Sequence, residues 1–401
     1  MNTNRILFSA LLMVSLIIAG CEYDVTQPQW DKPYTEPSTP VITGTNPEQV
    51  ILPGINTITI QGHDFAAQPE INEVWFNTTA GEVISTSDTR IVVRRPTVLD
   101  SCQVKVVSHE ALVTVTYNKK FFVEPVVESY GSFLDNVSLS TISVDDQENV
   151  YVVETASRNI YRVASSGEKA MLAQALRTPT DASVGIDGQL YLLKNNRAID
   201  VLDNATLTVD RWTQLPRGYV VSYGDFDSEG YMYVGGDRTD IVAIAPDLSV
   251  QLDPGFYPDD EILAIHVSGS DLYVASRPTQ STDPAKIYKH ALTGSGSVGG
   301  KTLVCDLSTA SEDIASRELK GIEVAEDGKI YLATYALDPI LVVDPATGQI
   351  DYFYKSILPP YCWNIAWGNG SLMYMIIGNS TDGSQETWTT YQVDMGSSAV
   401  H

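Results

Sequence analysis

Four arginines, Arg158, Arg197, Arg238 and Arg277, each follow by a few positions one member of a recurring series of tyrosines. The arginine side chain presents a planar fork of donors suited to a carboxylate or a phosphate. Tyr335, Tyr361 and Trp363 add aromatic faces of the kind that stack on sugar rings or apolar side chains. Gathered on one rim, these seven residues would take an anionic or glycan-like ligand. A competing reading pairs the arginines with acids such as Glu154, Asp237 and Asp240 and places Trp363 in the core, because exposed ion pairs are common and weak.

Other chemistries find less support. The formal charge of −25 argues against nucleic acid and against adsorption to anionic lipid head groups. No Cys-x-x-Cys or His-x-x-x-His spacing suggests zinc, and no Gly-x-Ser-x-Gly elbow suggests a serine hydrolase. His63 and His109 fall in the N-terminal half, His290 in a long fourth repeat, and His401 at the end. Only His266 sits on a predicted inner strand, which without a nucleophile and an orienting acid reads as a satisfied core residue. Cys102, Cys305 and Cys362 are odd in number and read as small apolar side chains in strands.

The elements that must position the rim come from repeats. An aliphatic–tyrosine pair recurs at Tyr151, Tyr191, Tyr233, Tyr273, Tyr331 and Tyr374, spaced by 40, 42, 40, 58 and 43 residues. Each pair follows a polar turn such as Asp187-Gly188-Gln189 or Asp227-Ser228-Glu229-Gly230, with apolar strands on either side. Turns of this kind need residues that tolerate positive φ or bond their own backbone, and the tyrosine brings apolar area with a hydroxyl able to reach a polar partner. Six units of about 40 residues predict a six-bladed β-propeller over 124–398, with five or seven blades as alternatives if the boundary lies elsewhere. The last unit is one strand short, while Val126-Val127-Glu128-Ser129-Tyr130 precedes the first unit without a blade of its own, so pairing the two would close the ring. The long gap before Tyr331 predicts an insertion within 278–312, read as a surface loop.

The repeat resembles the NHL and related six-bladed propellers, although no strict Asn-His-Leu signature is present. Propellers similar to the calcium-dependent lactonases and gluconolactonases hold a metal at the channel, which makes calcium a possible cofactor beside the alternative of none. Asp145, Asp181, Asp225 and Asn364 could face inward, but they do not fall at one repeated position and no glutamate opens the first inner strand.

Upstream, 40–123 alternates apolar and polar residues in short runs, among them Thr57-Ile58-Thr59-Ile60, Val74-Trp75-Phe76 and Arg90-Ile91-Val92-Val93. This pattern predicts an antiparallel β-sandwich of about 85 residues. Pro40-Val41-Ile42, Asn46-Pro47, Gly54, Gly62-His63-Asp64-Phe65 and the strand ending at Pro96 resemble the IPT/TIG family of immunoglobulin-like domains. The expected class is all-β, an Ig-like sandwich followed by a propeller.

The first twenty residues carry Arg5 and an apolar run from Ile6 to Ile18, too short for a trusted membrane span. Leu16-Ile17-Ile18-Ala19-Gly20-Cys21 resembles a bacterial lipobox, which implies cleavage before Cys21 and acylation of its thiol and new N-terminus. At about 0.8 kcal/mol per buried CH₂, such acyl chains anchor a protein firmly to a membrane. Residues 21–39 are proline-rich and read as a tether. The expected address is the cell envelope, on the outer membrane, outside the cytoplasm. Three functions stand in order: a non-catalytic module binding a protein or glycan at the cell surface, a structural scaffold of an envelope complex, and a calcium-dependent lactonase-like hydrolase.

Overall fold

The computed structural model describes residues 37–133, 137–237, 239–252, 255–379 and 387–400. Cys21, the leader, nearly all of the tether and Arg238 lie outside the described residues.

The N-terminal domain is a sandwich of two sheets. One runs in the order Val41–Asn46, Thr57–His63, Arg90–Arg94, Val83–Ser87, and the other Val50–Ile51, Val113–Val123, Asp100–Ser108, Asn72–Phe76, Thr79–Gly81. Successive strand side chains point to opposite faces, so alternation delivers Ile58, Ile60, Val74, Phe76, Ile91, Val93, Val104 and Val106 to one core.

The remaining sheets are six antiparallel blades of four strands each, arranged as a propeller. The inner strands are Leu139–Val144, Asp181–Val184, Tyr223–Phe226, Asp260–Ser268, Leu319–Val324 and Cys362–Trp367, and each packs beside the next, the sixth against the first. The second strand of each blade is covered on both faces by neighbouring blades, so runs such as Leu190–Leu193 and Ile330–Thr334 are apolar without alternation. The outermost strands are the most open to solvent, as in Lys169–Gln174. The ring closes through Val127–Tyr130, which pairs antiparallel with Thr387–Asp394 and supplies the sixth blade with its fourth strand.

The repeated tyrosines are all buried, and several hydroxyls end on turn acids. Tyr191 donates to Asp187 Oδ2 at 2.8 Å and Tyr233 to Asp227 Oδ2 at 2.9 Å. The other oxygen of Asp227 accepts the Glu229 and Tyr231 N–H groups, both at 2.9 Å, so one carboxylate fixes both the turn and the tyrosine.

The extra length of the fourth unit is distributed rather than looped out. Its inner hairpin strands, Asp260–Ser268 and Asp271–Pro278, are long, a bridge joins Leu292 to Val298, and short helical turns at Leu307–Thr309 and Glu312–Ala315 lead to the fifth blade. Leu307 and Ile314 are buried between these blades, which is why this segment folds inward instead of forming a surface loop. Cys102, Cys305 and Cys362 are all free and buried in strands.

The two domains meet at the fifth blade. Asn56 donates to Tyr352 O at 2.9 Å and accepts from Tyr354 N at 3.1 Å, and Arg94 forks onto both oxygens of Asp351 at 3.0 and 3.1 Å.

Candidate functional site: the propeller mouth and channel

Arg158 and Arg197 turn to the outer half of their own blades. Arg158 Nη1 donates to Leu176 O at 2.7 Å, and Arg197 Nη1 to Leu215 O at 3.4 Å, each just beyond the outermost strand of its own blade. With the Gln214 amide turned oxygen-inward, Arg197 also donates to it through Nε and Nη2 at 3.1 and 3.0 Å. Arg277 is paired with Glu261 across the fourth blade's inner hairpin at 3.3 Å. Arg238 lies outside the described residues.

The aromatic residues are brought together. Tyr335 lies 5.3 Å from Tyr361 and 5.9 Å from Trp363 between ring centroids, and Trp363 meets Trp388 edge-on at 5.3 Å. Tyr335, Tyr361 and Trp363 are only half-buried, at the mouth where the inner strands begin. Trp363 is tied down by its indole N–H, which donates to Ser140 O of the first blade at 3.2 Å. Lys320, absent from the residues singled out by sequence, sits 4.2 Å above the Trp363 ring and is paired with Glu318 at 2.6 Å.

Below this mouth runs a channel of about 670 Å³ lined by the inner strands. Strand register sorts its side chains into two rings. Nearer the mouth are Thr141, Asp181, Tyr223, Ala264, Gly321 and Asn364; two residues deeper are Ser143, Ser183, Asp225, His266, Glu323 and Ala366, each the register partner of a repeated tyrosine. In line with the sequence reading, the four polar candidates do not fall at one repeated position: Asp181 and Asn364 share one, while Asp225 belongs to the ring below. Asp145 is a turn residue whose oxygens take the Gln147 and Asn149 N–H groups. Glu323 went unrecognised. The available signal was its place eight residues before Tyr331, as Asp225 stands eight before Tyr233.

The polar rings have a structural origin. The axis-facing edge of an inner strand has no further strand to pair with, and its buried N–H groups need acceptors. Asp181 accepts Gly224 N at 3.1 Å and Asp225 accepts Val267 N at 2.9 Å, in each case from the following blade. Asp225 also accepts from Ser183 Oγ and from Phe226 N, both at 2.9 Å. His266 Nδ1 lies 3.3 Å from Asp225 Oδ2 and 3.6 Å from Glu323 Oε2.

These contacts decide the protonation states. Burial raises the Glu323 and Asp181 carboxyls to about 7. Burial opposes charge on Asp225 and His266 as well, but their mutual contact, with Glu323 on the histidine and the Val267 and Phe226 N–H groups on the aspartate, holds the carboxyl below its usual range and the imidazole above its own. A raised folded-state value means that the folded chain binds extra protons, so the stabilisation from Glu323, Asp181 and His266 is present at low pH and lost as pH rises through 5 to 8. Asp225 acts oppositely, losing its contribution only below about pH 4. Glu323→Gln is expected to flatten the fall in stability between pH 5 and 8 by roughly 2 kcal/mol. Denaturant midpoints measured across that range check it, and parallel curves for both proteins would refute it.

The donor set does not fit calcium. Asp225 already serves three hydrogen-bond donors and His266, Asn364 Nδ2 faces Thr141 Oγ1 at 3.4 Å, and among the described residues no group of three or more His, Cys, Asp or Glu is arranged to hold a metal ion. The Ser183 hydroxyl of the same ring donates to Asp225.

Residues 40–125 match the IPT/TIG domain family. No curated protein matches the chain by sequence. Among solved structures, an auxiliary nutrient binding protein from Bacteroides thetaiotaomicron is similar over 89% of this chain and 99% of its own, at 10% identity and a TM-score of 0.50. A luciferin-regenerating enzyme is similar over 69% of this chain and 99% of its own, at 14% identity and a TM-score of 0.53. A gluconolactonase from Xanthomonas campestris matches over 65% of this chain and 87% of its own, at 12% identity and a TM-score of 0.48. At such identities the likeness is one of fold. Among the described residues, no helix is long and apolar enough to cross a membrane.

Proposed function

We propose that this chain is a lipid-anchored protein of the bacterial cell envelope, held outside the cytoplasm through Cys21, and that its propeller mouth is a non-catalytic site for a glycan. The observation that carries this reading is the half-buried cluster of Tyr335, Tyr361 and Trp363 beside the channel opening. Flat aromatic faces with polar groups beneath them suit a sugar ring, whose C–H face stacks while its hydroxyls reach Asn364, Asp181 and Tyr223. The charges around the mouth are already matched, Lys320 with Glu318 and Arg277 with Glu261, which favours a neutral sugar over an anion. The fold shared with a nutrient binding protein over most of both chains is consistent with capture of material at the cell surface.

The full chain, purified in detergent and applied to a glycan array, is expected to retain a defined set of neutral saccharides. Trp363→Ala should weaken binding to those saccharides by roughly tenfold or more, since loss of a stacked ring costs about 1–3 kcal/mol. An array with no saccharide retained, or retention unchanged in that variant, would overturn the proposal.

A further inference from the structure

A second concavity shares the rim with the aromatic mouth. Between the fourth and fifth blades lies a cleft of about 230 Å³. Its walls come from the extra length of the fourth unit: the loop that follows Asp271–Pro278 on one side, and the helical turn Glu312–Ala315 with the residues after it on the other. At about 30 Å³ for each water, that space equals roughly seven or eight water molecules, which is room for one pyranose ring.

The floor of the cleft is apolar and its rim polar. Leu263, Ala285 and Leu319 are buried along it, while Thr282, Asp283, Ser316 and Glu318 stand exposed around it. An apolar floor meets the C–H face of a sugar, and oxygen atoms at the rim accept from its hydroxyls. Both arginines of the cleft are already engaged: Arg277 with Glu261 at 3.3 Å, and Arg317 with Leu337 O, Asp338 O and Asp313 Oδ2 at 2.7, 2.6 and 2.8 Å. With both guanidinium groups taken and two carboxylates on the rim, a neutral sugar is favoured over an acidic one.

Glu318 joins the cleft to the mouth. It lines the cleft, its carboxylate accepts from Lys320, which lies over the Trp363 ring, and its carbonyl accepts Tyr335 N at 3.0 Å. Burial raises the Tyr223 hydroxyl, and the charges of Asp181, Glu261 and Glu318 add to that rise, so the edge of the cleft is also in electrostatic reach of the channel's upper ring. We infer that the cleft is a second sugar subsite and that the ligand of the mouth is a neutral oligosaccharide, with one ring stacked at Trp363 and a further ring of the same chain beyond Glu318. This rests on the glycan reading of the mouth. A second ring on the same chain binds without a second loss of translational freedom, so affinity rises with chain length until the cleft is filled.

The full chain in detergent, applied over a concentration series to arrays of neutral glucan, mannan, xylan and galactan fragments from monosaccharide to hexasaccharide, reads affinity against length. In the ladder that is retained, affinity is expected to rise roughly tenfold or more from monosaccharide to tetrasaccharide and then level off. Ser316→Trp, which fills the cleft from an exposed position, should flatten that rise; Thr282→Trp on the opposite wall should do the same and decides the matter if the first variant does not fold. Affinity independent of length, or a rise that persists in the folded variants, would overturn the second subsite and leave the mouth standing. Retention of no fragment at all would overturn the glycan reading and this inference with it.

Discussion

Arg95→Ala is expected to lower the stability of the folded chain by about 3–5 kcal/mol, the range for breaking a buried polar network. Arg95 is 3% exposed, and its guanidinium donates to Leu52 O and Glu124 O at 2.6 Å, to Ile55 O at 3.2 Å and to Ile51 O at 3.3 Å. Those carbonyls belong to the turn before Thr57–His63 and to the segment that leaves the sandwich for the propeller. The guanidinium also lies 5.6 Å from the ring centroid of Tyr354, a fully buried fifth-blade tyrosine whose hydroxyl takes Gly54 N and donates to Asp394 O at 2.8 Å. Alanine would strand several buried acceptors at once and loosen the junction between domains. The nearby bridges from Arg94 to Asp351 and from Lys355 to Glu82 involve acids that are nearly half exposed, so each is worth under about 1 kcal/mol and cannot compensate. Lysine at 95 should rescue only partly, because an ammonium cannot span carbonyls that a planar fork reaches together. Urea unfolding followed by tryptophan fluorescence checks this. The substituted chain is expected to unfold at a lower midpoint, with the two domains separating into two transitions; an unchanged single transition would contradict it.

The second large effect is expected in the second blade. Lys194 and Asp200 form an ion pair whose side chains are 2% and 0% exposed, and Arg211 Nε reaches the other Asp200 oxygen at 2.8 Å. Burial pulls Lys194 below its ordinary pKa, and the aspartate opposes that shift. Asp200→Ala leaves the ammonium buried and unpaired, which is expected to cost about 3–5 kcal/mol, while Arg211, partly exposed, can turn to water. Combining Lys194→Met with Asp200→Leu should recover most of the loss, since a buried pair seldom outperforms apolar residues of similar volume. Thermal or denaturant midpoints of the single and double variants form the test. Additive losses in the double variant would show that the pair is not coupled as the geometry indicates.

The residues that sequence reading placed well are those whose partners are near in the chain. Asp227 and Tyr233 are six residues apart and bond within one hairpin, so the turn–tyrosine repeat announced both the blade and its number. Alternation in Thr57–His63 and Asn72–Phe76 announced the sandwich because strand side chains have a period of two whatever they pack against. Arg158 and Arg197 misled because sequence offset was read as position on a rim, whereas both bond to carbonyls just past the outermost strands of their own blades.

Sequence alone therefore determined the all-β class and the order of sandwich and propeller. Tertiary structure decided which side chains meet across blades. Asp225 finds Val267 N at a separation of 42 residues, and Trp363 finds Ser140 O at 223, contacts that exist only once the ring has closed. The same closure leaves the inner strand edges facing an axis with no strand to pair with, and that geometric fact, invisible in any single repeat, is why Asp181, Asp225, His266 and Glu323 surround one channel.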